Sequence, residues 1–118
     1  MKVSEIKTLL DAEVVTGEDL LDMEVISACG CDMMSDVLAF VKDQAVLLTG
    51  LMNTQVVRTA ELMDMRCIVF VRGKEPDEGI IALAKSKNLV VMTSKHRMYT
   101  ACGILYANGL HGTGVDKV

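Results

Sequence analysis

Apolar positions along the chain gather into four short runs: Val25 to Cys29, Val46 to Leu48, Cys67 to Val71 and Leu89 to Met92. Their first residues lie 21, 21 and 22 positions apart, so the chain reads as a succession of similar units. None of the runs alternates cleanly between apolar and polar residues, and β-branched side chains are common in them. Strands buried on both faces of a parallel sheet have this pattern. Between the runs the spacing becomes helical. Val37, Leu38 and Val41, then Val56, Ala60 and Met63, then Ile80, Leu83 and Ala84, and finally Met98, Cys102, Leu105 and Tyr106 each predict one inward helix face. The ends are marked too. Asp32 or Ser35 is expected to cap the first helix and Thr54 the second, Pro76 to fall in the first turn of the third, and Asn88 and Asn108-Gly109 to act as stops.

An amphipathic stretch from Ser4 to Leu10, followed by Val14-Val15-Thr16 before Gly17, predicts one more helix and an edge strand ahead of these units. Strands alternating with helices at this spacing need crossover connections. The expected fold is therefore α/β, a single-domain layered sandwich with a mostly parallel sheet built from repeated βα units. One domain is expected over residues 1–110. The polar, Gly-rich residues 111–118 are expected to form a flexible tail.

Composition narrows this picture. The 118 residues, 51% hydrophobic and 24% charged, suit one compact domain. A chain of this size buries roughly two-thirds of its unfolded surface, enough to fold without disulfides or a structural metal. A net charge of −4 and only 3% aromatic residues argue against nucleic acid, which needs cationic surface and stacking rings. No apolar run has the length of a membrane span, and Met1 to Leu10 mixes charged with apolar residues as no signal peptide does. A cytoplasmic protein without a membrane partner is the expectation. Cys29, Cys31, Cys67 and Cys102 sit in hydrophobic segments and read best as reduced core thiols.

In open α/β sheets ligands bind beyond the carboxyl ends of the strands, where loops meet helix N-termini. Four loops are expected there: Gly30-Cys31-Asp32, Thr49 to Thr54, Arg72-Gly73-Lys74 and Thr93 to Arg97. The last two carry Arg72, Lys74, Lys95, His96 and Arg97, so an acidic chain holds a locally basic rim that favours a small anion. The bland alternative is a solvated rim with glycines serving tight turns. Thr49-Gly50 to Thr54 lacks the Gly-Lys-Ser/Thr of a Walker loop, and no Gly-x-Gly-x-x-Gly turn is present. Cys29 and Cys31, with a distant His96, lack the spacing of a zinc knuckle. Asp32 and Asp36, four apart, would share a helix face, with capping the simpler role for Asp32. Of Met33, Met34, Met52, Met63 and Met65, exposed members would suit a self-association surface.

The order Asp32-Met33-Met34-Ser35-Asp36-Val37-Leu38-Ala39, then Leu47-Leu48-Thr49-Gly50, then Ile68-Val69-Phe70-Val71-Arg72-Gly73 with Pro76, closely resembles stand-alone DRTGG-domain proteins. It is also similar to the amino-terminal domain of the HPr kinase/phosphorylases, which is not the catalytic one. Similar modules occur in some phosphotransacetylases and beside CBS domains in certain pyrophosphatases, so the resemblance implies a regulatory or assembly role. One departure matters. Leu51-Met52-Asn53 stands where the family's Asp-Arg pair is placed, and Val71-Arg72-Gly73 is the match to its Thr-Gly-Gly.

The resulting expectation is a non-catalytic regulatory module without cofactor or metal, binding a small phosphorylated or nucleotide-like metabolite. The expected ligand-binding set is Asp32, Thr49, Gly50, Asn53, Arg72, Gly73, Thr93, Ser94 and Lys95. The alternative is an interaction domain that forms a homodimer or docks on a partner enzyme. A small thiol- or metal-dependent enzyme using Cys31, His96 or Asp32 is the third reading, for which no nucleophile, base and orienting group can be assembled.

Overall fold

The computed structural model describes residues 1–40 and 44–112. Among them the chain runs α1 (Val3–Leu9), β1 (Glu13–Thr16), a 3-10 turn (Glu18–Leu20), β2 (Ser27–Gly30), α2 (Met34–Phe40), β3 (Ala45–Thr49), α3 (Thr54–Leu62), β4 (Cys67–Phe70), α4 (Glu78–Ser86), β5 (Val90–Thr93) and α5 (Met98–Ala107). The strands form one sheet in the order β1-β5-β4-β3-β2. β2 through β5 are parallel, and β1 closes one edge antiparallel to β5 with Glu13 opposite Thr93. The predicted mostly parallel sheet with an added helix and edge strand is the observed fold.

The near-continuous apolar runs reflect burial on both sides. Val46, Leu48, Val69, Val90 and Met92 pack with Ile6, Ala101 and Leu105 of α1 and α5. Leu47, Ile68, Phe70 and Val91 pack on the other face with Val37, Val56, Ala60, Ile80 and Ala84 of α2, α3 and α4. Alternate residues of each strand thus feed two separate cores, as the pleat requires.

Several local expectations are corrected. Leu38 is 37% exposed, not inward, because α2 makes its buried apolar contacts through Met34 and Val37. Tyr106 is 49% exposed and stacks on His111 with ring centroids 4.2 Å apart, leaving Ala101 and Leu105 as the fully buried residues of α5. Val41 lies outside the described residues, as do residues 113–118 of the expected tail; His111, at its start, accepts a hydrogen bond from Ala28 N–H. The second helix is capped by Asn53, whose Oδ1 accepts from Val56 N–H, so Thr54 is already helical. Asp77 caps α4 through Ile80 N–H at 2.9 Å, which moves Pro76 outside the first turn. Neither Asp32 nor Ser35 caps α2: Ser35 is inside the helix and the Asp32 carboxylate bonds elsewhere. The two stops are observed, with Asn88 at φ 57° and Gly109 at φ 97° just past their helices. Of the five methionines considered for a surface role, Met33 is exposed, Met34 and Met65 are buried, and Met52 and Met63 are half-buried.

Candidate functional site

The parallel strands bring the four predicted loops to one edge of the sheet. The first tie there is made by Asp32. Its Oδ1 accepts from Thr49 Oγ1 at 3.0 Å and from Gly50 N–H at 2.8 Å, while Thr49 Oγ1 also accepts from Leu51 N–H. Thr49 is fully buried, so this carboxylate satisfies a hydroxyl that would otherwise be orphaned. The side chain expected to cap a helix instead locks the β2 loop to the β3 loop. It also leaves Asp32 outside α2, so Asp32 and Asp36 do not share a helix face.

A second tie joins the next two loops. Arg72 N–H donates to His96 C=O at 2.7 Å, Gly73 N–H donates to Ser94 C=O at 2.9 Å, and Val71 N–H donates to Thr49 C=O. Arg72 and Gly73 take successive left-handed conformations, φ 63° and 68°. This is a backbone suited to two glycines, and the Arg72 position holds a side chain in spite of it. That side chain folds over Gly50, where a Cβ would meet the Arg72 guanidinium at 2.5 Å. Gly50 therefore serves as the platform on which Arg72 rests. Among the described residues no carboxylate forms an ion pair with Arg72 or Lys95.

Beside this cluster lies a polar cleft of about 550 Å³. It is lined by Gly73, Glu75, Thr93, Ser94 and Lys95 together with Lys7, Asp11, Ala12 and Glu13. The nine expected ligand residues thus divide. Asp32, Thr49, Gly50 and Arg72 belong to the first cluster, whereas Gly73, Thr93, Ser94 and Lys95 face the cleft. Asn53 stands at the head of α3, its side chain engaged as a cap. Ser94 is 2% exposed, with its hydroxyl donating to Leu10 C=O at 2.8 Å and accepting from His96 N–H. Its side chain serves the protein's own loops.

Sequence reasoning missed Lys7, Asp11, Glu13 and Glu75. The first three reach the edge because β1 runs antiparallel, placing its amino end beside the carboxyl end of β5. Strand direction leaves no local mark in Val14-Val15-Thr16.

Burial holds Cys29, Cys67 and Cys102 toward the neutral thiol. Burial pushes the fully enclosed Cys67 to about 12 and, with the nearby Cys31 and Cys102 sulfurs, pushes Cys29 to about 11. Burial raises Cys102 as well. Cys31 Sγ accepts from Met33 N–H and donates to Met33 C=O, a local turn contact. Among the described residues no three His, Cys, Asp or Glu side chains are grouped to hold a metal ion. Among the same residues no helix is long and apolar enough to cross a membrane.

A small α/β domain with its loops knitted at the carboxyl edge of a mostly parallel sheet is thus the class defined by fold and site. The DRTGG domain family model matches residues 5–107, and the chain belongs to that family. The fold is similar to that of the CBS and DRTGG domains of the regulatory region of Clostridium perfringens pyrophosphatase, solved in complex with its activator, diadenosine tetraphosphate. The TM-score is 0.70 at 19% identity, with 88% of this chain and 45% of that chain covered. This chain therefore spans less than half of that structure. No curated protein matches the chain.

Proposed function

We propose that this domain is a non-catalytic regulatory module that takes a small phosphorylated or nucleotide-like ligand at the carboxyl edge of its sheet. The observation that carries the reading is Arg72. It holds a left-handed backbone that glycine would adopt without strain, and it lays a guanidinium free of any described carboxylate partner across Gly50. Strained non-glycine residues of this kind concentrate at functional sites, and a guanidinium matches phosphate oxygens in a bidentate way.

In this reading Arg72 is the principal contact and Lys95 the second. Asp32, Thr49 and Gly50 hold the platform, while Gly73, Thr93, Ser94 and Asn53 shape the surrounding loops. The regulatory pyrophosphatase region of similar fold was solved with a dinucleoside tetraphosphate, which makes nucleotides the first ligands to try. We place the module in the cytoplasm, where its four thiols stay reduced.

Calorimetry with adenine nucleotides, diadenosine tetraphosphate and sugar phosphates tests the reading. Saturable binding that weakens at least about tenfold in Arg72→Ala is expected, equivalent to about 1.4 kcal/mol. Absence of binding across the panel, or binding indifferent to Arg72, overturns it.

A second reading, an assembly domain that forms homodimers, is favoured by one different observation. α5 carries no charged residue along its ten positions, yet Tyr99 and Tyr106 stand exposed on it.

A further inference from the structure

We infer that the cleft beside Arg72 is the sugar subsite of the ligand site, where the carboxylates of Asp11, Glu13 and Glu75 accept hydrogen bonds from vicinal hydroxyls of a phosphorylated sugar. This rests on the ligand reading above and concerns the part of the ligand that Arg72 does not hold.

The cleft is assembled from three separate stretches of chain. Gly73 and Glu75 come from the loop after β4, and Thr93 to Lys95 from the end of β5. Lys7, Asp11 and Glu13 come from α1, the turn after it and the start of β1. Their backbones are tied together. Gly73 N–H donates to Ser94 C=O at 2.9 Å, the buried Ser94 hydroxyl donates to Leu10 C=O at 2.8 Å, and Glu13 pairs opposite Thr93. The spacing of the three stretches is therefore set by the protein's own bonds. About 550 Å³ lies between them, within the roughly 300–1,000 Å³ of small-molecule sites.

Charge defines what the cleft can accept. Its charged groups are the carboxylates of Asp11, Glu13 and Glu75 and the ammonium groups of Lys7 and Lys95. Among the described residues none of these five forms an ion pair. Opposite charges thus share one hollow without neutralising each other, and the carboxylates are in excess. A polyphosphate placed wholly inside would meet that excess at close range, which is repulsive. Arg72 immediately precedes Gly73, and its guanidinium lies over Gly50 beside the cleft. The favourable pose therefore puts phosphate on Arg72 and Lys95 and the uncharged part of the ligand among the carboxylates.

An ionised carboxylate only accepts hydrogen bonds, and its two oxygens can meet two adjacent hydroxyls. A sugar ring offers such hydroxyls a few bonds from its phosphate, so one molecule satisfies both halves of the site. Exposure sets the size of the effect. Asp11, Glu13 and Glu75 are exposed, so hydroxyl contacts to them compete with water. Sites built to hydrogen-bond a hydroxyl discriminate by about 10⁴-fold or more when buried, and a solvated one is expected to reach about tenfold.

Calorimetry of the full chain with adenosine 5′-monophosphate, its 2′,3′-dideoxy analogue, ribose 5-phosphate and inorganic phosphate tests this. Adenosine monophosphate is expected to bind at least about tenfold tighter than the dideoxy analogue, which keeps the same phosphate and base. Combining Asp11→Asn, Glu13→Ala and Glu75→Ala should bring that ratio to within about twofold, with the analogue binding no worse than before because repulsion has fallen. Should the combined variant fold poorly, Glu13→Ala and Glu75→Ala alone should each lower the ratio. A purely electrostatic role would strengthen both nucleotides and leave the ratio unchanged, and that result overturns the inference. So does equal affinity of the unmutated chain for the two nucleotides, or inorganic phosphate binding as tightly as either sugar; the ligand reading survives all three. Ribose 5-phosphate matching adenosine monophosphate supports the inference with a sugar phosphate as ligand, and a tighter nucleotide supports it with a ribonucleotide. Absence of binding by every probe overturns the ligand reading and the sugar subsite with it.

Discussion

The two halves of the sheet's carboxyl edge are built on different principles. Over β2, β3 and β4, Asp32 binds buried Thr49 and Gly50, and Arg72 lies on Gly50, so each polar side chain has a defined geometry. Over β5 and β1, the cleft is lined by Lys7, Asp11, Glu13, Glu75 and Lys95, charged groups of both signs. The difference teaches where specificity can reside. A side chain held against a buried scaffold presents one geometry to a ligand, whereas charges without such a hold supply a field and little orientation.

The sharpest way to break this contrast is Asp32→Ala. It strips the acceptor from a buried hydroxyl and a buried N–H, with an expected loss of about 2 kcal/mol in urea unfolding. Asp32→Asn, which retains an acceptor oxygen, should lose about half as much. Equal stability of all three proteins would mean that the first half is no more constructed than the second.

Arg72 is the position expected to separate stability from ligand binding. Replacing it with glycine relieves the left-handed strain, and the domain is expected to gain up to about 1 kcal/mol while losing ligand affinity. A destabilised Arg72→Gly would show that the guanidinium serves the fold. Gly50→Ala is gentler, since the guanidinium is the flexible end of its side chain and can move aside. Stability should change by less than about 1 kcal/mol, with affinity falling in parallel with Arg72→Ala. Smallest of all is the effect expected in the cleft, where Lys95→Ala or Glu75→Ala should shift stability by no more than about 0.5 kcal/mol. A larger shift in thermal or urea unfolding at either position would erase the distinction between the halves.

How much of this was legible beforehand depends on the range of the interactions involved. The strand runs and helical spacings are local patterns, and they located every strand to within a residue or two. Capping was less legible. Asn53 stands next to Thr54, the residue assigned, and Asp77 caps α4 just after Pro76, which was expected inside the first turn, because a cap depends on where the backbone turns helical as well as on residue type. The basic residues of the site loops could be read from their positions after strands. The role of Asp32 could not, because its partners lie 17 and 18 residues away.

By itself, the sequence determined the βα repeat, burial on both faces of the sheet and the edge at which the glycines and basic residues gather. Those follow from periodicity and from the residues that suit turns and helix ends. Tertiary structure alone decided that β1 runs antiparallel and carries Asp11 and Glu13 into the cleft. It also decided that Asp32 serves Thr49 rather than α2, that Arg72 rests on Gly50, and that α5 turns its tyrosines outward. Each of these joins residues distant in sequence, and neither hydrophobic period nor residue type records which distant neighbour a side chain will meet.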